Sequence, residues 1–201
     1  MAAHLDDDAL LSLYAQALDR FGALVRAVPA DGWQGATPCT DWTVRELVNH
    51  LTAEQLWVPP MLSGATVAEL GDRFDGDVLG DDPVAAWTAA ADAARTAFEE
   101  PGALARTVHL SYGDRRAAGY AREMVVDAVL HGWDLAQGIG ADARMDPAAA
   151  DFALAEVTPH AGALAASGLF ADPVPVPADA DAQTRLLGLV GRDPAHPMGA
   201  A

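Results

Sequence analysis

The chain has 201 residues, 51% of them apolar, enough for one domain with a sizeable core, or one domain with a tail. Its formal charge of −17 argues against nucleic acid and anionic membrane surfaces as partners, since both need a basic face. A single cysteine excludes an intramolecular disulfide and Cys-based zinc motifs; with no evident signal peptide or bilayer-length apolar run, a cytoplasmic protein is expected.

Leu5 to Val28 carries apolar residues at Leu10, Tyr14, Ala17, Leu18, Phe21, Leu24, Val25 and Val28, which is helical spacing. Asp6 to Asp8 suit the positive end of that helix's dipole, and Pro29-Ala-Asp-Gly ends it. Trp33 to Asp41 reads as loop. Thr43 and Glu46 form a capping-box pattern that starts a second helix, with Leu47, His50, Leu51 and Glu54 along one face and Pro59-Pro60 as its stop. Gly64 to Gly80 is a long connection with room for a helical turn. Asp82-Pro83 caps a third helix, Val84 to about Glu99, closed by Pro101-Gly102.

Thr107 to Ser111 followed by Tyr-Gly-Asp fits an extended segment and a turn. A fourth helix runs from about Ala117 to Gln137, with Gly138 as its C-cap. Asp146-Pro147 starts a fifth, to roughly Ser167, with a kink at Pro159. Pro173 to Pro177 is a stiff link, and a short helix, Asp181 to Val190, precedes a loose tail. With no repeat or domain boundary in sight, residues 1–201 read as one all-α domain. The expected architecture is an antiparallel four-helix bundle with a C-terminal addition over 172–201.

The chemistry concentrates between Met124 and Leu135. Asp127, His131 and Asp134 are the polar side chains of that run, at i, i+4 and i+7, so they share one stripe of the helix. In an apolar setting such groups cost several kcal/mol unless something satisfies them. A metal ion does so, and Asp127 and His131, one turn apart, can offer it an oxygen and a nitrogen. His50, among the leucines of the second helix, is the candidate third ligand, with the fourth position left to water or substrate. A core histidine satisfied by a neighbouring aspartate would look the same. Gly132, inside the helix, suggests a close helix approach.

Other residues carry weaker signals. Asp134 reads as a group orienting a histidine, or as structural, more than as a fourth ligand. Cys39 precedes the second helix, whose dipole could lower its pKa, though lone cysteines are usually small buried apolar groups. His109 could approach the site mouth, but a plain loop residue is the simpler reading. Arg95 and Arg122 could line an anionic pocket, against the simpler reading of solvated helix faces. The five tryptophans read as core, while His4 and His196 are terminal. No nucleophile elbow or phosphate-binding glycine loop is present.

All 12 basic residues are Arg, and Ala, Gly, Pro and Asp abound, the bias of a high-GC genome such as an actinobacterium's. Three blocks carry a resemblance: Thr37-Pro-Cys-Thr-Asp-Trp-Thr-Val-Arg-Glu-Leu-Val-Asn-His-Leu, then Val126-Asp-Ala-Val-Leu-His-Gly-Trp-Asp-Leu-Ala, then Val174-Pro-Val-Pro-Ala with Leu186-Leu-Gly-Leu-Val-Gly-Arg-Asp-Pro. The chain resembles actinobacterial metal-binding proteins related to the N-terminal domain of mycothiol-dependent maleylpyruvate isomerase, in the DinB-like superfamily. That resemblance implies an up-down-down-up bundle holding a divalent metal, usually zinc or nickel. His50 would be the ligand of the second helix, and Asp127 and His131 those of the fourth. The isomerase carries Glu at the place of Asp127, and an α/β domain follows its bundle, so maleylpyruvate isomerase activity itself is not expected here.

Two functions follow from the resemblance. The first is a thiol transferase or isomerase, using a metal-bound thiolate of mycothiol or a similar small thiol against an electrophile. The second is a non-catalytic metal-containing bundle with a binding or stress-response role. A purely structural bundle, its polar stripe satisfied internally, is the third possibility. A homodimer is compatible with such bundles.

Overall fold

Each long helix begins where the sequence supplies a cap. The computed structural model describes residues 5–39, 42–163 and 170–194. Helix α1 (Asp7–Ala27) starts at Asp6, whose carboxylate accepts the Ala9 N–H at 2.8 Å. Helix α2 (Val44–Leu62) opens on the full capping box, the Thr43 N–H donating to Glu46 Oε2 at 2.7 Å. Thr66 and Glu69 build a second such box for the short α3 (Val67–Leu70), the helical turn for which the long connection had room. In α4 (Pro83–Glu99), Asp82 accepts the Ala85 N–H at 3.0 Å, and Pro83 sits where a missing N–H costs nothing.

The expected extended segment is the first strand of a hairpin, β1 (Thr107–Leu110) and β2 (Gly113–Arg116), antiparallel with Thr107 opposite Arg116. Helix α5 (Ala117–Gly138) follows directly. Then come α6 (Pro147–Val157), capped by Asp146, and α7 (Ala182–Leu189), capped by Asp181.

Helices α1, α2, α4 and α5 form the expected bundle. Helix α1 packs on α4 and α5, and α2 packs on the same two, so α1 and α2 face each other diagonally. Phe21 lies against Trp87 with ring centroids 4.6 Å apart, and Tyr14 meets Phe98 edge-on at 5.2 Å. Across the core, the Tyr14 hydroxyl donates to Gln55. Full burial of each large side chain contributes roughly 1.5–3 kcal/mol, so it is the apolar stripes that hold the helices together.

Three expectations need correction. Pro59 and Pro60 do not stop α2 but lie inside its last turn. Their fixed φ is helical, so the chain runs on to Leu62 before the carbonyls of Pro59 and Pro60 accept the Ser63 N–H, each at 3.1 Å. Gly138 belongs to α5 rather than capping it; Ile139 is the cap, and Gly140 takes the left-handed φ of +66°. A Cβ on Gly138 would stand 3.0 Å from the Ala36 carbonyl, so this glycine admits the loop before α2. Gly132 marks no close helix approach: a Cβ there meets nothing within 4 Å, and the residue lines a small crevice of about 60 Å³ beside α1. The helix begun at Asp146 gives way to a 3-10 turn at Thr158–His160, and its expected end near Ser167 lies outside the described residues.

The C-terminal segment reaches the bundle through α6, which packs on both α5 and α7. The Val174 N–H donates to the Gly188 carbonyl at 2.8 Å, laying the proline-rich link along α7. At the end of α7, Gly191 turns the chain at φ +75°, and the Arg192 N–H closes the turn on the Leu187 carbonyl at 2.9 Å. A Cβ on Gly191 would stand 2.5 Å from the Ala171 carbonyl oxygen. Gly191→Ala should therefore cost about 2–4 kcal/mol in urea unfolding, combining left-handed strain with overlap. Gly64→Ala, at φ +91° with open space around it, should cost only about 1–2 kcal/mol. Equal losses would contradict the tight approach to Ala171.

Candidate functional site

Helices α2 and α5 bring the three expected residues together. His50 projects from α2 and Asp127 and His131 from α5, with Asp127 between the imidazoles. His131 Nε2 lies 3.4 Å from Asp127 Oδ1, and His50 Nε2 lies 3.6 Å from Asp127 Oδ2. The two rings meet edge-on, centroids 5.2 Å apart, and the Trp42 indole lies over His50 at 4.6 Å. The Asp127 side chain is 30% exposed and faces a cleft. Its Oδ2 is nonetheless covered and accepts no hydrogen bond.

Asp134, the third member of the α5 stripe, is wholly buried and orients His131. Arg192 donates through Nε to Asp134 Oδ1 at 2.8 Å and through Nη2 to Oδ2 at 2.5 Å. Oδ2 also lies 2.9 Å from His131 Nδ1 and accepts the Cys39 thiol at 3.2 Å. Burial alone would raise the Asp134 pKa, but the bonds from Arg192 and His131 bring it down to about 2. An ionised carboxylate only accepts, so His131 Nδ1 carries the ring proton and, in the neutral ring, Nε2 presents a lone pair to Asp127. A lone pair facing a carboxylate needs a positive charge between them, a proton or a cation.

The other titratable groups fit this picture. Burial would push His50 down, but the facing Asp127 carboxylate, with Glu54 adding, holds it above the usual imidazole range. Burial would likewise raise Asp127, yet His131 and His50 hold it below the usual carboxylate range. Burial, reinforced by the Asp134 charge, pushes Cys39 up to about 12, so the helix dipole does not activate this thiol.

Among the described residues, two overlapping sets of donors can hold a metal ion: His50, Asp127 and His131, or Cys39, His131 and Asp134. In each set the ligand atoms lie within 4.8 Å of one another. They differ in charge balance. Arg192 already bonds both oxygens of Asp134 and donates to Cys39 Sγ at 3.4 Å, while the covered oxygen of Asp127 has no donor. The first set fits a cation; the second holds an internal one.

Beside the first set lies a cleft of about 460 Å³ between α2 and α5, roofed by the hairpin tip at Leu110 to Tyr112. His50, Glu54, Trp57, Tyr120, Glu123 and Asp127 face it. Glu54 is raised above the usual carboxylate range by burial and by the Asp127 charge. His109 is not among the lining residues; its Nδ1 pairs with Asp114 Oδ1 at 2.8 Å on the hairpin. Arg122 pairs with Glu156 at 3.0 Å and Arg95 with Asp19 at 2.5 Å, tying helices together instead of lining an anion site. His4 and His196 lie outside the described residues. Sequence reasoning missed Arg192; Trp42 packs against the core as expected and also lies over His50, and Glu54, one turn beyond His50, was the member whose spacing could have revealed it.

The family model for the mycothiol maleylpyruvate isomerase N-terminal domain matches residues 14–136, the span that contains His50, Asp127, His131 and Asp134. The chain belongs to that family. Its helical bundle is accordingly DinB-like. Two relatives, the uncharacterized proteins Rv0738 and MT0763 of Mycobacterium tuberculosis strains H37Rv and CDC 1551, are each 31% identical over 188 residues, covering 90% of this chain and 97% of theirs. No solved structure matches the chain at a significant level. Among the described residues, no helix is long and apolar enough to cross a membrane.

The Asp134 pair sets an acid limit. Its carboxyl titrates near 2 when folded and near 3.9 when unfolded, so its contribution is complete above about pH 4 and is lost as pH falls through about 2. That contribution is on the order of 2 kcal/mol, read as a slope in urea stability over this window. Asp134→Asn should abolish the slope and, by leaving Arg192 buried and unpaired, cost about 3–5 kcal/mol at pH 7. An Asn variant with the wild-type acid slope would refute this assignment.

Proposed function

We propose that the chain binds a divalent metal ion, zinc or nickel, through His50 Nε2, Asp127 and His131 Nε2, and serves as a transferase or isomerase that uses a small thiol such as mycothiol. The observation that carries the reading is the convergence of these three donors around a covered Asp127 oxygen that no hydrogen bond satisfies. Two imidazoles and a carboxylate with one open side are the donor set of catalytic zinc sites. The family name adds the thiol. When bound, such a cation supplies the Lewis acidity that keeps a thiol ionised near neutral pH.

The chain's own residues support that chemistry. Asp134 fixes the His131 ring, so Nε2 is presented without a tautomer change. Trp42 shields one face of His50 and limits water there. Glu54, in the cleft wall, is placed to take the proton that the thiol gives up. Apart from His50, the residues lining the cleft carry no basic group, while Glu54, Glu123 and Asp127 are acidic. A neutral or cationic electrophile suits this cleft, whereas a dicarboxylate such as maleylpyruvate would meet like charge.

Elemental analysis of protein purified without chelator tests the metal. Near-stoichiometric zinc or nickel is expected in wild type, with affinity lowered at least about tenfold in His50→Ala. Metal-free wild type whose stability does not respond to added zinc or nickel would end the reading. Thiol consumption with a panel of electrophiles then separates catalysis from a binding role: turnover should need both metal and thiol and should fall in Glu54→Gln. Stoichiometric metal without turnover for any thiol would assign the bundle to binding instead.

A further inference from the structure

Arg192 is a buried cation held at short range by the second donor set. We propose that Arg192 decides which of the two overlapping sets takes the metal ion. It stands in for an ion between Cys39 and Asp134, and through Asp134 it keeps His131 Nε2 turned to Asp127. The inference rests on the metal reading above and gives Arg192 a positioning role, since it touches neither the first donor set nor the cleft.

The geometry carries the argument. A cation shared by Cys39 Sγ, His131 Nδ1 and Asp134 Oδ2 would sit about 2.0–2.3 Å from each. The guanidinium already lies 2.5 Å from that Oδ2 and 3.4 Å from that Sγ, so an ion would meet a like charge at contact distance. The guanidinium does not deprotonate, and its rigid fork matches the two Asp134 oxygens. It cannot easily withdraw either. The Gly191 turn and the bond from the Arg192 N–H to the Leu187 carbonyl fix its backbone. Nη1 reaches the Val190 carbonyl at 3.4 Å, and Phe170 lies 5.9 Å from the guanidinium carbon. These anchors lie in the C-terminal segment, beyond residues 14–136, so that segment completes a site whose ligands all come from the bundle.

Cobalt(II) is the probe, because a thiolate ligand adds a sulfur-to-cobalt charge-transfer band in the near ultraviolet that imidazole and carboxylate ligands do not. Wild type should bind cobalt with visible bands and without that band. In Arg192→Met, which keeps an apolar stem, the sulfur band should appear and the affinity of the original set should fall about 10–100-fold. Adding Cys39→Ser to that variant should remove the band and so identify the sulfur. A sulfur band in wild type would overturn the inference, as would a folded Arg192→Met with wild-type affinity and no band. Should Arg192→Met not fold, Arg192→Lys decides. Its ammonium keeps the charge but lacks the fork, so cobalt affinity should drop at least about tenfold, and unchanged affinity overturns the proposal. Wild type that binds no cobalt, zinc or nickel at all refutes the metal reading itself, a result distinct from any failure confined to Arg192.

Discussion

A carboxylate with no solvent exposure costs several kcal/mol unless its charge is met in full, and Asp134 is such a carboxylate. Its two oxygens face Arg192, His131 and Cys39, which belong to three different segments: the turn after α7, the preceding turn of α5, and the loop before α2. Much of the architecture around the bundle exists to deliver those partners. The loop before α2 is closed by Thr37, whose hydroxyl donates to the Trp42 carbonyl at 2.8 Å, and by the Val44 N–H, which donates to the Gly35 carbonyl at 2.9 Å. Gly138 lets this loop approach α5, and Gly191 lets Arg192 turn back into the core. A charge that is expensive to strand thus locks the loop before α2 and the turn after α7 to α5.

The same interaction organises the candidate site from behind. With Asp134 ionised and accepting, His131 has one nitrogen committed and the other aimed at Asp127. Asp127 then divides its two oxygens between two imidazoles whose rings cross at 80°. The aspartate side chain is long enough because the edge-on rings bring both Nε2 atoms to within 3.6 Å of it. A glutamate at this position, as in the isomerase, would extend one methylene further toward the cleft. The shorter acid leaves that volume open between α2, α5 and the hairpin.

Much of this was legible in the sequence because it is local. The acidic start at Asp6 to Asp8, the start signals at Thr43, Asp82 and Asp146 and apolar spacing in steps of three and four located the helices, and i, i+4, i+7 spacing placed Asp127, His131 and Asp134 on one stripe. His50 followed from a polar residue on a leucine face. Arg192 escaped because its partner lies 58 residues earlier in the chain and no periodicity links them. Its local setting, an arginine directly after Gly-Leu-Val-Gly, was visible only as part of a family block. Pro59-Pro60 misled because proline forbids an N–H bond but not a helical φ, so in a last turn it ends little. Gly132 misled because a helix glycine can border an empty crevice as readily as a neighbouring backbone.

The two donor sets share His131, and that sharing limits what the site can be. A neutral imidazole has one lone pair, so a proton fixed on Nδ1 leaves only Nε2 to ligate. Whatever sets the charge state of Asp134 therefore sets which side of His131 faces a cation. Arg192 does this with a group that cannot lose its proton, which makes the choice independent of pH over the range in which Asp134 stays ionised. Had the same place held a histidine, the buried pair would titrate near neutrality and the ligand set with it. A permanent cation on the far side of the shared ring keeps the near-side lone pair turned to Asp127.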